Sequence, residues 1–300
     1  MVEGVGEGAA KVRPGDHVAL SFACCGRCSS CLRSKQPYCL TFFERNFGGA
    51  RIDGSTGLSK DGDAVHSHFF GQSSFATYSL ATEWNVVKVP DDAPLELLGP
   101  LGCGVQTGAG AVLNTLRPEA RSSIAVFRMG TVGLSAIMAA VVGCTTIGGD
   151  DIKPGRLELA REVGPTHVVN GAKTDSVEEV RGITGGGVDY SLDSTGVPAV
   201  FRQAVDALSP LGMCGIVGAP PLSTEASLDM NGVMIPGKTM RGFIEGDSVP
   251  DVFIPRLIEL HAQGRFPFDR LVRFYELDEI NRAAEDAERG DTIKPVLSLG

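Results

Sequence analysis

The chain has 300 residues, of which 43% are hydrophobic and 21% are charged, and this composition excludes a disordered or fibrous protein. The length predicts two domains rather than one. The formal net charge is −9 and no stripe of Lys and Arg follows a predicted helix, which excludes a nucleic-acid partner. Small molecules are therefore the expected partners.

The first residues lack the basic and apolar regions of a signal peptide, and the longest apolar runs, such as residues 134–142, are too short to cross a membrane. We therefore expect a cytoplasmic protein with no membrane partner. In a reducing cytosol, the eight cysteines are expected to be metal ligands or buried thiols rather than disulfides.

The first hundred residues predict a β-rich domain, because short β-prone segments are separated by Gly, Pro and Asp. The strands that we predict in this part are residues 18–22, 75–80 and 85–89. From about residue 122, strands alternate with amphipathic helices, which is the pattern of a parallel sheet with helical crossovers.

Six strands are predicted in this second part, at residues 124–127, 145–147, 167–170, 189–193, 213–218 and 239–243. The helices predicted between them are residues 131–142, 155–163, 176–183 and 198–208. Right-handed crossovers would arrange these strands as an α/β fold, a doubly wound parallel Rossmann sheet that binds a nucleotide. Two further helices, at 249–263 and 277–289, and a last strand at 292–298 complete the prediction.

Four closely spaced cysteines form the first candidate site, with the spacing C-x2-C-x2-C-x7-C: Cys25, Cys28, Cys31 and Cys39. Four thiolates on one short loop can close a tetrahedron around Zn²⁺ and leave no position for water or substrate, as in a structural zinc site. An iron–sulfur cluster and a set of buried free thiols are the alternatives. Cys24 lies outside the spacing and is expected to be a packed neighbour.

The second candidate site follows the apolar strand that starts at Ile124, where a short turn leads into a helix. A dinucleotide-binding fold needs G-x-G-x-x-G in this turn, so that backbone amides can approach the pyrophosphate. Gly130 and Gly133 keep the second and third glycines, whereas Arg128 stands in place of the first. Ordinary turn chemistry is the alternative role of the two glycines.

An acidic residue should lie about 20 positions later, at the end of the second strand, to bind the ribose hydroxyls. Asp150 and Asp151 lie there, and a carboxylate in this place favours NAD over NADP. As an alternative, Asp151 caps the helix that starts near Pro154, and Gly148 and Gly149 make a poor strand end.

Together with the segment GPLGCGVQTG at residues 99–108, these motifs resemble those of zinc-dependent medium-chain alcohol dehydrogenases, over essentially all 300 residues. The segments HFFGQSSFA at 68–76 and GFIEGDS at 242–248 are most similar to aryl- and benzyl-alcohol dehydrogenases. The resemblance implies a truncated GroES-like β domain at 1–104, a NAD-binding Rossmann domain at 105–243, and a segment at 244–300 that returns to the first domain. It also implies a dimer or tetramer.

The resemblance implies roles for individual residues. The four cysteines of the run would hold structural zinc, and Cys103 would be the third protein ligand of a catalytic zinc. The cofactor would be bound by Asp151 at the ribose, by Arg156 near it, by Lys294 near the phosphates, and by the turn residues Gly130, Thr131, Val132 and Gly133. For Arg156 and Lys294, a solvated surface charge is the alternative.

Three family features precede the point that matches Met1: the first catalytic cysteine, the Gly-His-Glu motif with the second zinc ligand, and the hydroxyl residue of the proton relay. Of the catalytic zinc ligands, Cys103 alone remains, so no catalytic set is intact. His66 and His68 are conceivable substitutes, although a loop histidine is more often a packing or surface residue. Two functions follow: oxidation of a primary, aromatic alcohol to an aldehyde with NAD, or an inactive truncated remnant that keeps structural zinc and weak NAD binding.

Overall fold

The computed structural model describes residues 1–299. Its strands are β1 (Val18–Leu20), β2 (Leu58–Lys60), β3 (Asp63–Val65), β4 (Val86–Lys88), β5 (Ser123–Phe127), β6 (Thr146–Asp151), β7 (His167–Asn170), β8 (Val188–Asp193), β9 (Leu208–Ile216), β10 (Thr239–Gly242), β11 (Val272–Glu276) and β12 (Lys294–Ser298). Its α-helices are α1 (Phe42–Phe47), α2 (Gly104–Gly110), α3 (Thr131–Ala140), α4 (Pro154–Glu162), α5 (Ser176–Thr184), α6 (Pro198–Asp206), α7 (Met230–Met234), α8 (Pro250–Ala262) and α9 (Ile280–Arg289).

Six parallel strands form the central sheet in the order β10-β9-β8-β5-β6-β7. This is the doubly wound order of a Rossmann sheet, so the predicted fold class is confirmed. The strand order reverses between β5 and β8, and ligands of such sheets bind in the crevice outside the carboxyl ends of the strands at that point. β5 is buried from Ile124 to Phe127, as expected for a strand that is covered on both faces.

One continuous core joins the central sheet to the N-terminal part of the chain. It includes Val87 of β4, Leu101, Ile124 of β5 and Leu257 of α8. Lys11 and Asp251, at the start of α8, add an ion pair between the same two parts, with Nζ 2.6 Å from the carboxylate. The N-terminal part is therefore packed directly against the central sheet.

The N-terminal part contains less paired β structure than the sequence predicts. β1 and β4 pair antiparallel, and β2 and β3 form a separate hairpin. The predicted strand at 75–80 is wrong: it has no strand partner within residues 1–299, and Phe75, Tyr78 and Leu80 are 74%, 75% and 81% exposed. Alternating apolar residues do not form a strand unless a neighbouring strand accepts their backbone hydrogen bonds.

Several boundaries also differ from the prediction. β6 continues through Gly148 and Gly149 and ends at Asp151. Both glycines are buried inside the sheet, where they pair with β5 and β7. β11 was not predicted, and it pairs in parallel with β12. Among residues 1–299, every helix is too short or too polar to cross a lipid bilayer.

Candidate functional site

The four cysteines of the run lie together on a loop of tight turns. Their sulfur atoms are all within 4.8 Å of one another. The Sγ atoms of Cys25 and Cys31 are 3.9 Å apart, and those of Cys28 and Cys31 are 3.5 Å apart. A tetrahedral ZnS4 site with Zn–S bonds of about 2.3 Å needs sulfur separations of about 3.8 Å. The loop is therefore already close to the geometry of a structural zinc site.

Backbone N–H groups point at this cluster. The N–H of Cys28 donates to Sγ of Cys25 at 3.3 Å, and that of Cys25 donates to Sγ of Cys39 at 3.2 Å. Hydrogen bonds from the backbone lower the pKa of Cys28 to about 6 and lower that of Cys25, which favours thiolates. Cys24 is buried beside the cluster, as a packed neighbour, and burial raises its pKa.

A single tryptophan covers this loop. Gly26 has a left-handed φ of +70°, and a Cβ atom at this position would lie 2.0 Å from the Trp84 ring. Only glycine fits both the backbone angle and the contact. Trp84 therefore lies directly against the cysteine loop.

The candidate nucleotide turn, residues 128–133, lies at the carboxyl end of β5, where the strand order reverses. It is called the nucleotide turn below. Arg128 has a left-handed φ of 73° and an exposed side chain, so the missing first glycine leaves a strained residue here. A Cβ on Gly133 would lie 1.9 Å from the carbonyl oxygen of Arg128, which explains the third glycine as a close-packing requirement. A Cβ on Gly130 would meet no atom within 4 Å, so the space beside the second glycine is open.

Asp151 is buried at the end of β6 and holds this turn. Its Oδ2 accepts a 2.7 Å hydrogen bond from the N–H of Met129, and its Oδ1 accepts from the N–H groups of Ile152 and Lys153. The N-cap of α4 is Lys153, so Asp151 does not take the alternative role of helix cap. Arg156 is only 8% exposed and its Nη1 lies 3.6 Å from Oδ2 of Asp151, so it is not a solvated surface charge.

The turn also contacts the C-terminal segment. The hydroxyl of Thr131 donates to the carbonyl oxygen of Ile293 at 3.3 Å, next to Lys294. Lys294 is half-buried, and its positive charge acts to lower the pKa of Cys103. A Cβ on Gly104, the residue after Cys103, would lie 3.0 Å from Cγ2 of Thr131. The nucleotide turn, Lys294 and Cys103 are thus neighbours in space, although 191 positions separate the last two in sequence.

Cys103 directly precedes α2. Many protein atoms surround its side chain, but solvent still reaches it. The residue is exposed by surface area, yet desolvation, followed by repulsion from Glu245, raises its pKa above the usual value. Its Sγ donates to Oε1 of Glu245 at 3.7 Å. The thiol is thus reachable, and its polar partner is a carboxylate.

Glu245 is the site residue that sequence reasoning missed. It is 6% exposed, and burial raises its pKa to about 7 against hydrogen bonds from Cys103, Thr107 and Gln106. The Nε2 of Gln106 and the Oγ1 of Thr107 each donate to Oε2 at 3.3 Å. The segment GFIEGDS contains this residue, but the sequence does not show that a carboxylate so far along the chain reaches Cys103.

The two candidate substitute ligands, His66 and His68, lie on the loop before the unpaired segment. The ring of His66 packs against Gly49, and both ring nitrogens of His68 are buried without a hydrogen-bond partner. Within residues 1–299, the four cysteines are the only group of three or more His, Cys, Asp or Glu side chains close enough to share a metal ion. Neither histidine therefore joins Cys103 in such a group.

Comparisons with known proteins agree with this arrangement. A family model of the alcohol dehydrogenase GroES-like domain matches residues 1–91, and one of zinc-binding dehydrogenases matches residues 131–262. Geraniol dehydrogenase from Castellaniella defragrans is 45% identical over 299 residues, which cover 99% of this chain and 80% of that protein.

Solved structures are similar over the same extent. The crystal structure of benzyl alcohol dehydrogenase from Acinetobacter calcoaceticus has a TM-score of 0.95 and 48% identity, and covers 99% of this chain and 81% of its own. A zinc-binding-domain alcohol dehydrogenase protein from Burkholderia ambifaria has a TM-score of 0.96 and 55% identity, with the same coverage. The chain therefore belongs to the zinc-dependent medium-chain alcohol dehydrogenase family, with a GroES-like domain and a Rossmann domain, and is related to geraniol and benzyl alcohol dehydrogenases.

Proposed function

We propose that this chain serves the NAD-dependent oxidation of a primary alcohol, of the geraniol or benzyl alcohol kind, to its aldehyde. The observation that carries the proposal is the adjacency of the nucleotide turn, the segment next to Lys294 and the segment next to Cys103, at the end of the sheet where the strand order reverses. The two related enzymes act on geraniol and on benzyl alcohol, according to their names. An aromatic alcohol is the substrate class that the sequence motifs favour.

The residues around the crevice fit a dinucleotide. Asp151 and Arg156 would bind the adenosine ribose, Lys294 would attract the phosphates, and the turn from Gly130 to Gly133 leaves space for the pyrophosphate. When bound, NAD supplies the acceptor for the hydride that leaves the alcohol carbon. The chain's part is to hold the cofactor and to keep the carboxylate of Asp151 fixed by three backbone N–H groups.

The four-cysteine loop would hold one structural zinc ion, since its sulfur atoms already approach the required separation. Cys103 offers one thiolate to a catalytic metal, and a catalytic zinc ordinarily has three protein ligands. The described residues bring no second group of three ligands together. Within residues 1–299, Cys103 by itself therefore cannot hold a metal in the geometry that activates an alcohol.

The second candidate function is a zinc-stabilised protein that binds NAD without turnover. The contact between Cys103 and Glu245 favours it, because desolvation and repulsion from Glu245 raise the pKa of Cys103 and so oppose the thiolate that a metal ligand must be.

An assay of NADH formation with benzyl alcohol and geraniol separates the two candidates. Oxidation by the purified chain that Cys103→Ser abolishes supports the first. Calorimetric NADH binding without turnover supports the second. Absence of NADH binding contradicts both. Cys144→Ser is the matched control, because Cys144 lies just before β6, at the amino ends of the parallel strands, whereas the crevice lies at their carboxyl ends.

We also propose a homo-oligomer formed through the edge of the central sheet at β10. Large apolar side chains are exposed beside this edge, with exposures of 81% at Leu211, 84% at Met230, 70% at Met234 and 77% at Ile235. Such exposure marks a protein interface or an aggregation hazard. Light scattering of Met234→Lys should show a smaller particle than the wild type.

A cytoplasmic location also stays a prediction, in keeping with eight cysteines that form no disulfide.

A further inference from the structure

Residues 245–247 form a sharp corner between the central sheet and α8. All three have left-handed backbone angles, with φ of 49° at Glu245, 62° at Gly246 and 52° at Asp247. Glutamate and aspartate rarely adopt this conformation, because it brings Cβ too close to the following carbonyl oxygen. A corner of this kind persists only where the surrounding contacts hold it.

One side of the corner faces Cys103. Glu245 accepts from Cys103, Gln106 and Thr107, and Gly246 packs directly on the backbone of α2. A Cβ on Gly246 would lie 2.6 Å from the carbonyl oxygen of Gln106. The corner therefore cannot move without moving the carboxylate that contacts the thiol.

The other side of the corner faces the four-cysteine loop. The hydroxyl of Tyr38 donates to Oδ1 of Asp247, and Nη2 of Arg241 donates to Oδ2 of the same carboxylate. The Asp247 side chain is only 3% exposed. Tyr38 directly precedes Cys39. A short path of contacts thus leads from the cysteine loop through Tyr38 and Asp247 to Glu245.

We propose that Tyr38 and Asp247 are positioning residues that couple metal binding in the four-cysteine loop to the placement of Glu245 beside Cys103. A bound metal ion would restrain Cys39 and hence the neighbouring Tyr38 ring, whose hydroxyl donates to the Asp247 carboxylate in the strained corner. The four-cysteine site then fixes the position of Glu245 beside Cys103, in addition to stabilising its own loop. This inference rests on the proposed zinc binding, but not on turnover or on NAD.

Hydrogen exchange of the full chain, read by mass spectrometry, tests the coupling. Zinc-loaded wild-type protein should protect the peptides that contain Cys103–Thr107 and Glu245–Ser248. Tyr38→Phe removes one hydroxyl and should speed exchange in both peptides about tenfold while zinc stays bound. Tyr78→Phe is the matched control, because Tyr78 is 75% exposed. The helix α5 serves as an internal reference that should not change.

The decisive comparison is between zinc removal and the mutation. If the path runs through Tyr38, removing zinc accelerates both peptides in the wild type but adds little in Tyr38→Phe. Equal acceleration in both proteins, or an unchanged Cys103 peptide in Tyr38→Phe, overturns the proposal.

Alkylation of Cys103 by iodoacetamide, mapped by peptide, gives a second readout that a purely local loop defect would not alter. Its rate should rise in zinc-loaded Tyr38→Phe, and a further Glu245→Gln change should add less than it does alone. Full additivity of the two changes contradicts coupling through Glu245. If the purified chain holds no zinc, the proposed structural zinc fails, whereas the comparison of wild type with Tyr38→Phe still decides whether loop and corner are coupled.

Discussion

The carboxylate of Asp151 accepts a 2.7 Å hydrogen bond from the N–H of Met129, a residue inside the turn between β5 and α3. The acid at the end of β6 thus shapes the nucleotide turn, and we propose that it also binds the ribose. Both tasks should fail together when the carboxylate is removed.

We expect Asp151→Asn to weaken NADH binding at least tenfold and to reduce the preference for NADH over NADPH. One amide group cannot accept all three backbone hydrogen bonds, and Arg156 is left buried without its anion. The free energy of unfolding should fall by about 2–4 kcal/mol. Calorimetry and urea denaturation measure the two effects, and Asp91→Asn, at an exposed position, should change neither. An unchanged NADH affinity would remove Asp151 from the cofactor site.

Arg128→Gly should tighten NADH binding, because it restores the small residue that the turn needs beside the pyrophosphate. It also relieves a left-handed φ of 73°. The accompanying change in unfolding free energy should be a gain of at most about 1 kcal/mol, since glycine also loosens the unfolded chain. Arg121 has a similar φ of 78° but lies outside the turn, so Arg121→Gly is the matched control. Weaker NADH binding by Arg128→Gly would contradict this account of the turn.

Metal analysis should find one zinc ion per chain, and Cys28→Ser should lose it whereas Cys144→Ser should keep it. Because Trp84 is the only tryptophan and lies on Gly26, a chelator that strips the loop should shift its fluorescence. A metal-free folded protein, or an iron–sulfur absorption spectrum, would contradict the prediction.

Asp150 should make the protein less stable as the pH rises from about 4 to 6. Burial, with a smaller contribution from Asp151, raises its pKa from 3.8 to about 6, against a hydrogen bond from Ser176. In that window the folded state binds more protons than the unfolded state, so stability falls with pH and the full loss is present above about pH 6.

Asp150→Asn removes this loss and should raise the unfolding free energy by about 1–3 kcal/mol at about pH 7.5 and hardly at all at about pH 4. Asp92→Asn, at an exposed position, should show no such pH dependence in the same urea titrations. A gain of equal size at both pH values would mean that another effect of the substitution dominates.

Fusion of the N-terminal segment of the related benzyl alcohol dehydrogenase to this chain should give a second bound zinc and benzyl-alcohol-dependent NADH formation. The physical reason is that one thiolate, Cys103, cannot hold zinc in a catalytic geometry. Cys103→Ser in the fusion should abolish activity and leave the structural zinc in place. Turnover by the unfused chain that persists in Cys103→Ser would show that its catalytic groups lie elsewhere.

The sequence predicts those parts of the protein whose structure depends on residues close together in the chain. The cysteine spacing predicted a cluster, and the strand–turn–helix order around Gly130 predicted the Rossmann turn. The segment 75–80 failed because its alternation describes a strand but cannot supply a pairing partner. Glu245 was missed because its contact with Cys103 depends on how a left-handed corner packs on α2, and no sequence period encodes that.

The glycines of α2 have a mechanical consequence. A Cβ on Gly108 would lie 2.0 Å from the carbonyl oxygen of Val132 in α3, and one on Gly110 would lie 2.3 Å from that of Gly246. Main chain therefore rests on main chain at both sides of the helix, with no flexible side chain between them to absorb a displacement. We expect α2 to move as a rigid body with its two neighbours, so that a displacement of α3 also displaces the corner at residues 245–247.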